Sequence, residues 1–365
     1  MLGVYVHIPF CESKCTYCAF SSFVKGEEEQ KRYVDKLVKD IEKFAEKKTR
    51  QIDSIYIGGG TPSMLKPATI QPLFEALKKN FEWKEGIEFT IEANPCSLTE
   101  EKLEIYKKNG VNRLSLGVQS LDDEALKFIG RRNNAKQALQ AIEMAKKYFD
   151  NISCDLLIGL KDMQEESFLS QIDTLAGLSV KHISAYMLQV EEGTPLAKMV
   201  AKDEKLLPED DQSVDVYEKM VEKLAGLGFD RYEVSNFAKK GFESRHNFKY
   251  WIGEEYVGFG LGAHSLLNGV RSAYCATFED FYADKLSSHE VLSDAQKLEE
   301  HIMLGLRCRA GISKIVMKSL GCDITANENY KSFVEKGILI EKGDIVNLNP
   351  NYYGVSNYII VKLLP

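Results

Sequence analysis

The sequence predicts an α/β fold: an incomplete (β/α) TIM-like barrel followed by a smaller helical and β-hairpin C-terminal region. Three observations predict it. Short apolar runs alternate with amphipathic helical segments up to residue 190, the pattern of parallel strands with helices packed outside. Polar and glycine residues collect at or just beyond the strand ends, where barrels place their chemistry. Beyond residue 190 the alternation stops.

The elements follow in order. "GVYVHI" (3–8) is a short β-rich run, and a cysteine-containing loop follows it. Residues 27–48 carry apolar side chains at 34, 37, 38, 41 and 44, a helical spacing with a charged opposite face. "DSIYIGGGTPS" (53–63) is a strand running into a glycine turn, with a helix over 67–80. "IEFTIEANP" (87–95) is a strand, and the helix at 99–110 stops at Gly110. A strand at 111–120 precedes helices at 122–129 and 134–148. Strands at 151–160 and 180–190 flank a helix at 164–177. A helix covers 207–228, and 231–265 is aromatic- and glycine-rich with few helix signals. Helices are expected at 292–307 and 312–320. A hairpin turning at Lys342-Gly343 and a last helix at 354–363 give the tail a winged-helix rhythm, read as a structural cap. The organisation is thus residues 1–230 as the barrel core, 231–290 as an aromatic and glycine-rich extension, and 291–365 as a C-terminal helical and hairpin domain.

The chain has 365 residues, 44% hydrophobic and 28% charged, with a net charge of −7. That balance argues against a broad nucleic-acid surface. No apolar run approaches the ~18 residues of a membrane span, and the N-terminus does not read as a signal peptide. The expected location is the cytoplasm. Of the eight cysteines, Cys96, Cys154, Cys275, Cys308 and Cys322 are scattered singly and read as reduced, mostly buried thiols.

Cys11, Cys15 and Cys18 are different: they form CxxxCxxC on the loop after the first strand. Thiolates suit zinc or iron–sulfur clusters. A closed zinc site takes four ligands, and His7, inside the strand, is a fourth by chain distance alone. A cubane also takes four cysteines, so three leave one iron open. Further candidates lie at other strand ends. Gly58–Thr61 read either as a tight turn or as backbone that a ligand approaches closely. Glu92, Gln119, Arg131 and Asp155 read either as rim polar groups or as ligand contacts.

This spacing resembles the signature of the radical S-adenosylmethionine (SAM) superfamily. That resemblance implies a [4Fe–4S] cluster on Cys11, Cys15 and Cys18, with SAM chelating the open iron and cleaved by a cluster electron. "YVHIPFC", "IGGGTPS", "EANP", "SLGVQSLDDEAL", "DLLIGL" and "EEGTPL" together resemble the HemN-like group, which includes anaerobic coproporphyrinogen III oxidase. The resemblance runs from residue 3 to the C-terminal hairpin. It places Gly59, Gly60, Thr61, Glu92, Gln119, Arg131 and Asp155 against SAM, the last at the ribose diol, and makes Tyr5 a site-lining tyrosine. The chain departs from the group after Leu160, where Lys161-Asp162-Met163-Gln164 replace a proline-containing turn.

Two features separate the branches of that group. The decarboxylating oxidases resemble CxxxCxxCxC with an N-terminal extension. Here Phe20 stands at the fourth cysteine position, and ten residues precede Cys11. "RHNFKYW" (245–251) fits HNxxYW, the motif of the heme-chaperone branch. By that resemblance His246 contacts heme, Asn247 orients its ring, and Tyr250 and Trp251 line the pocket. His264 is a rival ligand, and His7 supports the cluster cavity. The implied function is heme binding and delivery to acceptor hemoproteins such as respiratory ones, with oxygen-independent coproporphyrinogen oxidation as the alternative. No nucleic-acid partner is expected, and a homodimer is left open.

Overall fold

The computed structural model describes residues 1–46 and 50–364. The last two residues of the helix expected at 27–48 lie outside the described residues. Six strands, β1 (Leu2–Ile8), β2 (Gln51–Gly59), β3 (Glu82–Ala93), β4 (Arg113–Gln119), β5 (Asn151–Ile158) and β6 (His182–Met187), pair in sequence order, all parallel. Each junction carries at least one helix, including Glu27–Ala45, Pro67–Asn80, Glu100–Lys108, Ala135–Lys146 and Glu165–Gly177. These helices bury one apolar face on the sheet; in the first, Tyr33, Val34, Leu37 and Ile41 point inward.

The barrel does not close. Beyond β6 the sheet continues through the antiparallel β8 (Asn236–Ala238), with β7 (Asp230–Arg231) at its edge. Beyond β1 lies β9 (Tyr256–Phe259), parallel to it, then the antiparallel β10 (His264–Leu267), β11 (Val270–Tyr274) and β12 (Leu286–Val291). The incomplete barrel is therefore a 12-stranded open sheet with six strands in the βα series. The extension has no core of its own: Val257, Phe259, Leu261 and Phe281 join the barrel core.

A second core gathers residues from Leu298 to Leu363. It packs the helices Asp294–Gly305, Lys314–Ser319, Glu328–Glu335 and Ser356–Leu363 on a three-stranded sheet of β13 (Ile312–Ser313), β14 (Leu339–Lys342) and β15 (Ile345–Leu348). The hairpin turns at Gly343-Asp344, one residue later than expected, because Lys342 still pairs with Ile345. Among the described residues no helix is long and apolar enough to cross a membrane.

Candidate functional site

A cavity of about 470 Å³ opens over the C-terminal ends of the parallel strands. Cys11, Cys15, Cys18, Gly59, Gly60, Thr61, Glu92, Gln119, Arg131 and Asp155 all line it. Ten expected residues, scattered over 145 positions of chain, thus share one space because every parallel strand delivers its end to the same rim.

The cysteine loop is tied at its base and its crown. Phe10 and Phe23 bridge, with Cys11 N–H donating to Phe23 O at 3.0 Å and Phe23 N–H to Pro9 O at 2.7 Å. At the crown, Thr16 N–H donates to Ile129 O at 3.0 Å, and Leu196 N–H, from the "EEGTPL" segment, donates to Thr16 O at 2.9 Å. The thiols therefore sit on a fixed frame. Burial first, and then the neighbouring Cys15 and Cys11, push the Cys18 thiol up; a cationic centre beside it would favour its thiolate. Among the described residues no three His, Cys, Asp or Glu side chains gather closely enough to hold one ion. A cubane has no such requirement, since each thiolate takes a different iron.

His7 is excluded as a fourth ligand. Its Nε2 meets Ser21 O at 3.3 Å and its Nδ1 meets the Tyr5 hydroxyl at 2.9 Å. A carbonyl only accepts, so Nε2 carries the proton and Tyr5 donates to Nδ1. The ring supports the cavity instead. It packs so tightly on Gly59, whose φ is +116°, that a Cβ there would lie 2.6 Å from it. A Cβ on Gly60 would come 2.8 Å from Phe10 O and 3.1 Å from Cys11 Sγ. The glycine turn thus brings bare backbone against the cysteine loop, leaving room for a ligand's polar end.

The facing wall is polar. Glu92, at the end of β3, accepts from Tyr56 Oη at 2.8 Å and from Gly59 N–H at 3.0 Å. Burial pushes its carboxyl up to about 7, against the pull of these donors. Gln119 sits at a β-bulge opposite β5 with φ +67°, a local kink that turns its side chain toward Gly117 and the cavity. Arg131 follows a helix that stops at Gly130 in the left-handed region. Its guanidinium donates to Gly117 O and lies 3.8 Å from Cys15 Sγ, while its Nε has no protein partner. Asp155 has Ser115 Oγ at 3.4 Å, and burial raises its pKa. Three thiols, a backbone cradle, two half-buried carboxylates and an incompletely paired guanidinium fit a cluster carrying a polar, zwitterionic ligand on its open iron.

The HNxxYW residues are elsewhere. His246, Asn247, Tyr250 and Trp251 lie on a helix, Arg245–Trp251, at the opposite, N-terminal ends of the strands. His246 is fully buried, with Nδ1 2.9 Å from Ser54 Oγ and Nε2 2.9 Å from Tyr250 Oη. His246, which the resemblance sets against heme, thus has both nitrogens engaged within the protein and is not among the residues lining the cavity of the thiols. Tyr5 also lies beneath the cavity rather than in its wall, beside His7 and Tyr56. His264 is exposed on β10 and is not among the residues lining the cavity.

Sequence reasoning missed other wall residues. Tyr186 and Met187 end β6, the same rim position that singled out Glu92. Cys96 follows β3 and lines the cavity, and Arg132 pairs with Glu12 at 2.6 Å on its lip. Arg113, a charge inside an apolar strand, carried the same signal as Asp155; it is buried, with Nε and Nη1 unpartnered.

Comparison with known proteins agrees with this geometry. Residues 5–175 match the Radical SAM superfamily. Proteins named Heme chaperone HemW from Bacillus subtilis and Lactococcus lactis are 37% and 36% identical to the chain, covering 86% and 85% of it and 85% and 82% of those proteins. A bovine mitochondrial radical S-adenosyl methionine domain-containing protein 1 is 32% identical over 93% of the chain and 81% of its own length. The solved coproporphyrinogen III oxidase HemN of Escherichia coli superposes with a TM-score of 0.85 at 20% identity, covering 100% of this chain and 90% of that one. At that identity it establishes the shared fold.

Proposed function

The chain belongs to the heme chaperone HemW family of radical SAM proteins, and from that premise we propose that it binds heme and passes it to acceptor hemoproteins while carrying a [4Fe–4S] cluster and SAM. Cys11, Cys15 and Cys18 would hold the cluster. The Gly59–Thr61 backbone and Glu92 would meet the SAM ammonium, Gln119 and Arg131 its carboxylate side, and Asp155 its ribose hydroxyls. When bound, the cluster supplies an electron-transfer centre with one exchangeable iron.

The observation that carries the heme reading is at the cavity lip. Phe20, at the position of the oxidases' fourth cysteine, is 69% exposed and lines the mouth. Tyr186, Met187 and Leu188 line the same cavity, as do the basic Lys14 and Arg132, the latter paired with Glu12. A porphyrin offers a flat apolar face and two propionates, which this lip complements.

Anaerobic reconstitution followed by parallel incubation with hemin and with coproporphyrinogen III tests the reading. Stoichiometric hemin binding, release to an apo-hemoprotein and no protoporphyrinogen formation are expected. Turnover of coproporphyrinogen would assign the chain to the oxidase reaction instead.

A further inference from the structure

The HNxxYW helix closes the floor of the barrel. Its N-terminus is held by Glu88 of β3, whose two oxygens accept from the N–H groups of Arg245 and His246, each at 2.9 Å. Its middle is held by Lys249, 4% exposed, which pairs with Asp53 at 2.9 Å and reaches Met1 O at 3.2 Å. Gly3 makes room for it: a Cβ there would meet Lys249 Cδ at 3.0 Å, Ser54 Oγ at 3.1 Å and His246 Cε1 at 3.2 Å.

Into this floor the His246 ring is clamped from both sides, by Ser54 of β2 and by Tyr250 one turn further along its own helix. Above it lie Tyr56, with ring centroids 5.4 Å apart, and Tyr5, at 6.4 Å. The Tyr56 hydroxyl ends on Glu92 in the cavity wall. Gly58 sits against this contact, where a Cβ would lie 2.8 Å from Tyr56 Cε1 and 2.9 Å from Glu92 Cδ. A continuous packed column therefore runs from the motif to the SAM side of the cavity.

We infer that His246 is a positioning residue for the SAM site, seating Tyr56 and through it Glu92, rather than a ligand of heme. The ring suits the task because it is neutral: burial first, with Lys249 and Arg113 adding to it, lowers its pKa to about 3. A neutral ring places no charge beneath the Glu92 carboxylate. The inference rests on the reading that the cavity holds SAM.

A double-mutant cycle on the cluster-reconstituted full chain tests it, with SAM affinity and hemin affinity measured side by side. His246→Gln and Tyr56→Phe should each weaken SAM binding about tenfold, the scale of one misplaced hydrogen bond. The double variant should lose no more than either alone, because both act through one contact. The hemin Soret band should match the parent in all three. Losses that multiply, or unchanged SAM affinity with an altered Soret band, overturn the inference. If His246→Gln does not fold, Tyr250→Phe, which releases the clamp from the other side, takes its place in the cycle. A parent protein that binds no SAM defeats the underlying reading; a parent that binds SAM as tightly as its variants defeats this inference alone.

Discussion

Tyr56 Oη donates to Glu92 Oε1 at 2.8 Å, so a carboxylate of the cavity wall is fixed by a side chain beneath the cavity. The bond does not fully offset burial, which holds the Glu92 carboxyl at about 7 instead of 4.5. The sign follows. A carboxyl raised in the folded state favours folding while protonated. Its contribution is complete below pH 4.5 and is lost as pH rises through 7. The rise corresponds to roughly 3 kcal/mol once the group must ionise. Glu92→Gln, which can still accept from Gly59 and donate to Tyr56, should therefore stabilise the cluster-free protein by up to about 3 kcal/mol at pH 8. The gain should vanish near pH 4.5. Urea unfolding at the two pH values checks this, and a pH-independent difference would refute it.

Four cysteines line the cavity, and the structure separates them. Cys11, Cys15 and Cys18 share the pinned loop, whereas Cys96 lies on a turn after β3 with its thiol on Asn94 Oδ1 at 3.5 Å. Alanine at any of the first three should abolish the full complement of iron and sulfide after anaerobic reconstitution. Cys96→Ser should retain it. Full iron in Cys15→Ala, or loss of iron in Cys96→Ser, would reassign the ligands.

Gly59 and Gly86 both have positive φ, +116° and +68°, but only Gly59 is enclosed. No atom lies within 4 Å of a Cβ on Gly86, so Gly86→Ala should cost only the backbone term, about 1 kcal/mol. Gly59→Ala must also displace the His7 ring, and with it the bond to Tyr5, at about 2–3 kcal/mol. Denaturation midpoints of the pair, measured without cluster, isolate the close contact.

What the sequence made legible was whatever follows from strand ends. The six parallel strands, the thiol loop and the rim residues could be read because alternation and spacing are local signals, and the topology then brings the rim together. The floor could not be read. Arg245–Trp251 is seven residues long, too short for a periodic signal, and it is fixed by Glu88 and Asp53, more than 150 positions away. The extension strands β9 to β12 are only four to six residues long. One signal was present and unused: Asn268-Gly269, both at positive φ, is the two-residue turn that joins β10 to β11. The HNxxYW motif was placed by family resemblance alone, which carries no information on burial; the hydrogen bonds of its imidazole supply that.

Phe20 offers the sharpest test of the heme reading. Its backbone carbonyl accepts from Lys14 Nζ at 3.1 Å, while its side chain projects into solvent at the cavity mouth. An exposed phenyl group contributes nothing to the core, so its removal should leave folding and reconstituted iron and sulfide unchanged. Covering such a ring with a porphyrin face is worth about 1.5–3 kcal/mol, so Phe20→Ala should weaken hemin binding at least about tenfold. Phe20→Asp should weaken it further, by placing a carboxylate where the propionates approach. Phe20→Cys restores the oxidases' spacing but leaves the rest of the lip as it is, and no coproporphyrinogen turnover is expected from it. Hemin titrations followed at the Soret band decide the matter. Equal affinity in the parent and Phe20→Ala proteins would move the heme surface away from this lip, while leaving the thiol loop and the polar wall facing it untouched.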